Sequence, residues 1–181
     1  MGGLSPEQKV SIITGNSVVE ALKRKGLKAL PINVDHQIGT TLQSNPIDLA
    51  FIALHGTYGE DGCIQGLLEY FKIPYTGAGV MGSALAYDKL KSKEILKFHG
   101  IPTAEYEVFY KNSGKKICRT LNLPVVVKPT NQGSSLGISI VKNENEWEPA
   151  LETAFAYSDE IIVEKFIEGK LLAIGMNEME P

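Results

Sequence analysis

The chain has 181 residues, 43% of them apolar and 22% charged, with a formal net charge of −3. That balance belongs to a soluble globular protein of one large or two small domains, and it gives no support to nucleic acid as the main partner. No apolar run reaches the roughly 18 residues a membrane span needs, and MGGLSPEQKV has neither the basic start nor the apolar core of a secretion signal. The two cysteines, Cys63 and Cys118, lie far apart with no Cys or His at ligand spacing, which suits buried structural thiols in a reducing cytoplasm.

Gly2 and Gly3 read as a turn after a strand, with only Met1 ahead of them. Ser5 is a good N-cap and Pro6 suits a first helical turn. Ile12, Ile13, Val18, Val19 and Leu22 then predict an imperfect amphipathic helix, interrupted at Gly15 and stopped at Gly26 after Lys23, Arg24 and Lys25. Residues 29–34 predict a strand, and 36–46 a polar loop broken by Gly39, Asn45 and Pro46. The near-continuous apolar run DLAFIAL, residues 48–54, predicts a strand covered on both faces. His55 and Gly56 stand at its C-terminal end, where open α/β sheets hold their ligands. TYGEDG follows as a loop, then a helix over 64–71, and 73–76 as a short strand or bridge. Strand alternating with helix defines an α/β fold with a largely parallel sheet.

Residues 77–82, GAGVMG, match G-x-G-x-x-G and open a helix predicted to run to about Phe98. A dinucleotide-binding turn is one reading, although the strand ahead is short and contains Pro74. Lys89, Lys91, Lys93 and Lys97 give this helix a basic side, with three of the four expected to be simply solvated. Tyr106–Tyr110 reads as a strand and 112–114 as a turn.

The stretch LPVVVKPTNQGSSLGISIVK, residues 123–142, is a hairpin with a long loop holding Gly133, Ser134, Ser135 and Gly137. An ammonium on Lys128 beside three valines is costly unless an anion meets it. Loop N–H groups and serine hydroxyls suit phosphate oxygens, whereas a lysine snorkelling to water from an ordinary strand end is the plainer alternative. Residues 143–157 predict a helix on Trp147, Leu151 and Phe155. A strand over 161–163 runs into EKFIEG, and another starts over 170–176. The segment 162–167 suits an adenine ring through its backbone groups and apolar side chains, or equally a plain edge strand.

Taken together, MGGLSPEQKVS, the LHG-x-x-GEDG-x-IQG block with the helix carrying YDK, GIPTAEY, LPVVVKPTNQGSSLGIS and IIVEKFIEG resemble D-alanine–D-alanine ligase, an ATP-grasp family of peptidoglycan synthesis. The likeness runs in order along nearly the whole chain. It implies an N-terminal parallel-sheet (pre-ATP-grasp) domain over 1–79 and the first half of an ATP-grasp domain over 80–181, with residues 77–82 as a domain link. It implies ATP-driven joining of two D-alanines through an acyl phosphate, a cytoplasmic homodimer, and magnesium or manganese as metal.

Carried onto this sequence, the resemblance gives Glu7 the ammonium of the first D-alanine and a hydrogen bond to the catalytic serine, Ser134. His55 would stand beside the substrate, and Glu60 in the loop that supports it. Lys89, Lys128 and Ser135 would meet ATP phosphates, and Glu164, Lys165, Phe166 and Ile167 would form the adenine site, Lys165 and Ile167 through backbone groups. Thr57, Lys9, Gln132 and Leu171 depart from the family pattern, Leu171 at the place of a ribose-binding glutamate. The family's first strand would precede Gly2. Its second half, with the lid tyrosine, an arginine and the metal-holding Asp, Glu and Asn, would follow Pro181. No metal ligand is assigned within the chain, and the expectation is a ligase fragment, inert alone. Joining D-alanine to D-lactate or D-serine, and a catalytically inactive nucleotide-binding remnant, are the alternatives, with an NAD-binding module on residues 77–82 the third.

Overall fold

The computed structural model describes residues 1–112, 114 and 117–172. Its centre is a four-stranded antiparallel sheet in the order β1-β4-β2-β3. The strands are β1 (Tyr106–Tyr110), β2 (Val125–Pro129), β3 (Ser139–Val141) and β4 (Glu160–Lys165). Registers Val108↔Ile162 and Val127↔Val163 make β4 a central strand.

Side chains alternate across a sheet, so its two faces can be assigned from the register. Val125, Val127, Ile161 and Val163 share one face. They are buried against Trp147, Leu151, Ala154 and Phe155 of helix α6 (Trp147–Phe155). Each large side chain buried there contributes about 1.5–3 kcal/mol. The helix starts after a capping box in which Asn143 and Glu146 satisfy each other's backbone N–H groups. The other face carries Tyr106, Val126, Lys128, Ile162 and Glu164.

The N-terminal half packs around a separate cluster of Leu42, Leu54, Ile64 and Leu68. Its parallel pairing is confined to two bridges, Gly2↔Val34 and Ala50↔Tyr75. The predicted strands over 29–34 and 48–54 shrink to these points because each makes only a few ladder hydrogen bonds, Val34 with Met1 and Gly3, and Ala50 with Pro74 and Thr76. The run 48–54 is not covered on both faces. Leu49 is 58% and Phe51 48% exposed, beside a cleft of about 790 Å³ lined in part by Val18, Leu22, Leu30 and Ile32.

Several local expectations are corrected. Helix α1 (Gln8–Arg24) starts after Glu7 rather than at Ser5. It passes through Gly15 unbroken, because this glycine faces Met1, whose Cβ would lie 2.4 Å from an added methyl group. Ser11 and Gly15 are its buried residues, whereas Ile13 is 67% exposed. The polar segment 36–46 contains a short helix, α2 (Ile38–Ser44), which buries Leu42. Helix α3 is Cys63–Tyr70. The long helix predicted to reach Phe98 is two helices, α4 (Val80–Tyr87) and α5 (Lys89–Phe98). Asp88 between them is extended, and its carboxylate accepts the Lys91 N–H at 3.0 Å, the N-cap preference of aspartate overriding helix continuation. Both cysteines are exposed, not buried. Of the predicted strand over 170–176, residues 170–172 are not in a strand and the remainder lies outside the described residues, as does Ser113 of the predicted turn. Among the described residues no helix is long and apolar enough to cross a membrane.

Candidate active site at the serine loop and the lysine-bearing sheet face

Glu7 immediately precedes the first turn of α1, where the helix dipole favours negative charge, and it is 5% exposed. The Ser134 hydroxyl donates to its Oε2. Two glycines make this close approach possible. A Cβ on Gly56 would lie 2.6 Å from Glu7 Oε1, and one on Gly133 2.8 Å from the same atom. Gly56 also has a φ of 72°, a conformation glycine adopts without strain. Ser134 and Ser135 themselves have φ of 45° and 61°, bending the loop back toward α1. The Ser135 side chain is in none of the hydrogen bonds among the described residues and stays open to a ligand.

His55 is clamped from both ends. Its carbonyl accepts the Ser5 hydroxyl at 2.7 Å. Its Nε2 lies 3.1 Å from Thr14 Oγ1, and its Nδ1 3.5 Å from Glu60 Oε1. A neutral ring with the proton on Nδ1 satisfies both contacts, Thr14 donating to Nε2. Glu60 uses its other oxygen to accept the Gly56 N–H at 2.8 Å. The sequence therefore brings Glu7, His55, Glu60 and Ser134 into one group, and Thr14 joins them although no motif singled it out.

Lys128, Lys89 and Glu164 form the second group. Lys128 and Glu164 are diagonal neighbours on one sheet face, within reach across adjacent strands. The Lys128 ammonium pairs with Glu164 Oε2, so the anion that the valine-flanked lysine needed is supplied internally. The ammonium of Lys89 donates to the Gln132 carbonyl, and its backbone N–H to the Thr130 carbonyl at 2.8 Å. Burial, and then the like charge of Lys128, hold the Lys89 pKa below its ordinary 10.5. The loop carrying Gln132, Gly133 and Ser134 thus spans both groups.

The helix lysines are not mostly solvated. Lys91 and Lys97 are exposed, but Lys93 is 7% exposed and its ammonium meets Glu164 Oε1 at 3.0 Å. The spacing of Lys89, Lys93 and Lys97 by four residues on α5 was the available sign that they share one helix face. Tyr87 was also missed: its hydroxyl lies 3.2 Å from Thr57 Oγ1. Burial pushes the Tyr87 pKa up, as do the nearby carboxylates Glu7, Asp61 and Glu60. Beside it opens a cleft of about 580 Å³, lined in part by Asp61, Asp88, Gln132 and Glu160.

At the strand end, the Lys165 N–H is committed to the Glu105 carbonyl at 2.9 Å and the Phe166 N–H to the Pro124 carbonyl at 3.1 Å. The Ile167 N–H makes no backbone hydrogen bond with a described residue. The Glu164 carboxylate has a lysine on each oxygen, so it faces the lysines rather than an open ring site. Among the described residues no group of three or more His, Cys, Asp or Glu side chains could hold a metal ion.

A helix-terminal carboxylate, a serine loop and a lysine-bearing sheet face make up the candidate site of this α/β protein. Comparison with known proteins gives the particular family. The D-ala D-ala ligase N-terminus family matches residues 36–78 and the D-ala D-ala ligase C-terminus family residues 95–181. The D-alanine–D-alanine ligase of Geobacter sulfurreducens is 47% identical over 177 residues, covering 97% of this chain and 56% of that protein. The one from Syntrophotalea carbinolica is 46% identical, covering 100% and 59%. Among solved structures, D-alanine–D-alanine ligase from Bacillus anthracis superposes with a TM-score of 0.81 at 39% identity, covering 93% of this chain and 56% of that one. A structure of the same enzyme complexed with ATP gives 0.79 at 37% identity. This chain belongs to the D-alanine–D-alanine ligase family, and it spans just over half the length of the curated relatives it matches.

Proposed function

We propose that this chain serves the ATP-dependent joining of two D-alanines to D-alanyl-D-alanine, for the bacterial cell wall. The observation that carries the reading is the serine loop, which meets the buried Glu7 carboxylate through Ser134 and the Lys89 ammonium through the Gln132 carbonyl two residues earlier. In this reading the Glu7 carboxylate receives the ammonium of the first D-alanine, with His55 and Glu60 shaping its surroundings. Lys89, Lys128 and Ser135 take the phosphates of ATP, and the Ile167 N–H, with Lys165 and Phe166 beside it, meets the adenine edge. The γ-phosphoryl group passes to the carboxylate of one D-alanine, giving an acyl phosphate. The amine of the second attacks that carbonyl, and phosphate leaves with the bonding electron pair. The residues named here position groups, neutralise growing negative charge and exclude water, and none of them forms a covalent bond.

The family's magnesium or manganese does not fit the donor set of the described residues. The two separate apolar clusters support a division into units over 1–79 and 80–181, and a cytoplasmic homodimer completes the reading. Leu171, 101% exposed at the position of the family's ribose-binding glutamate, favours a second reading, a nucleotide-binding remnant without ligase activity.

Calorimetric titration of ATP into the chain, followed by D-alanine-dependent phosphate release, separates the two. The ligase reading expects ATP binding that Lys128→Met weakens, and phosphate release by a protein of the relatives' full length. Absence of ATP binding would remove the basis of both readings.

A further inference from the structure

Lys93 is a buried cation that no part of the proposed reaction uses. Its side chain is 9% exposed, and its ammonium has three oxygen partners: Thr103 Oγ1 at 2.6 Å, the Ala104 carbonyl at 2.9 Å and Glu164 Oε1 at 3.0 Å. The Tyr106 ring centroid lies 5.1 Å away. Three acceptors use all three ammonium protons, so Lys93 is fixed and has none left for a ligand. Lys128 differs. Its side chain is 19% exposed, and Glu164 is its ion-pair partner among the described residues, so an anion that draws it outward must break that pair.

We infer that Lys93 is a positioning residue for nucleotide binding, holding the buried Glu164 carboxylate neutralised so that Lys128 is free to leave it for a phosphate. This rests on the ATP site proposed above and assigns a further residue to it. The two-lysine, one-carboxylate arrangement carries a net positive charge. An incoming phosphate draws Lys128 away while Lys93 stays on the other carboxylate oxygen, and no unpaired buried charge is created. Without Lys93, each departure of Lys128 strands Glu164 in a site where its side chain is 10% exposed. A buried carboxylate left alone is strongly disfavoured, so Lys128 would remain with it.

The test is titration of the 181-residue chain with ATP and, separately, with adenosine, using wild type, Lys93→Met, Lys93→Arg, Glu164→Gln and the Lys93→Met/Glu164→Gln double variant. Thermal melts give the folded fraction of each. Lys93→Met is expected to weaken ATP by about tenfold or more, the equivalent of one lost charge-assisted contact, and to leave adenosine within about twofold. Lys93→Arg keeps the cation and most of the ATP affinity. Adding Glu164→Gln to Lys93→Met restores ATP binding, because Lys128 is no longer caged; a merely structural role for Lys93 gives no such rescue.

The inference is overturned if folded Lys93→Met binds ATP like wild type, or if the double variant is as weak as the single. Should Lys93→Met fail to fold, the double variant is compared with Glu164→Gln alone. The expected difference is under about twofold, since a neutral side chain at position 164 leaves Lys93 no charge to hold, and a difference above about fivefold counts against the idea. No ATP binding by wild type removes the nucleotide site and this inference with it, whereas binding by wild type with an unchanged Lys93→Met removes the inference alone.

Discussion

Glu164→Gln is the sharpest probe of the sheet face, because one side chain holds two lysines there. The substitution keeps size and shape and removes only the charge. Lys93 retains Thr103 and the Ala104 carbonyl, while Lys128 loses its described partner. Breaking a buried ion pair by removing one member typically costs about 3–5 kcal/mol. Here the glutamine oxygen still accepts one hydrogen bond, worth about 1 kcal/mol, and Lys128, 19% exposed, recovers part of its hydration. The expected net loss is therefore about 2–3 kcal/mol, a fall in melting temperature of roughly 5–10 °C for a chain of this size. Urea denaturation with an unchanged m-value measures it, against Glu168→Gln, an exposed site without an ion pair among the described residues, as the control expected within about 0.5 kcal/mol. Equal stability of the two variants would show that Glu164 does not hold the lysines, and the electrostatic account of this face would fail.

Three further outcomes follow from the same geometry. Gly56→Ala forces a left-handed backbone on alanine and drives its Cβ to 2.6 Å from Glu7 Oε1; a loss of about 1–3 kcal/mol is expected by chemical denaturation, and a loss within error would contradict the crowded position assigned to Glu7. Lys89 is held below its ordinary 10.5 by burial and Lys128, so between its folded-state value and 10.5 the unfolded chain binds more protons and stability rises with pH; Lys89→Met removes that rise, and an identical pH dependence in both proteins would refute the burial. The carboxyl of Glu146 is held below 4.5 by the N–H groups of Lys142 and Asn143; its contribution is present above 4.5 and lost as pH falls through the folded value, and Glu146→Gln flattens that acid limb of the stability curve.

The C-terminal half of the fold was the more legible in sequence. The valine run, the Trp147–Leu151–Phe155 spacing and the 161–163 strand each carry enough periodicity to decide their own structure, although β4 pairs with strands distant in the chain. The parallel strands were overread, because apolarity over 29–34 and 48–54 does not tell how far a neighbouring segment runs alongside, and each meets its neighbour at a single bridge. Asp88 ended α4 through capping chemistry, which a hydrophobic pattern does not register. At the site, Glu7, His55, Glu60 and Ser134 were legible through motif resemblance, and the structure groups them. Lys93 and Thr14 were not: a buried lysine and a solvated one look identical until the packing of α5 brings one of them to 3.0 Å from Glu164.

The most direct measurement is a residue-resolved NMR titration of the 181-residue chain with ATP. The account predicts shifts centred on Lys89, Lys128, Ser135, Glu164 and Ile167, with the side-chain amine signal of Lys128 moving most. Shifts confined to residues 77–82, or none at the five named positions at saturating ATP, would contradict it.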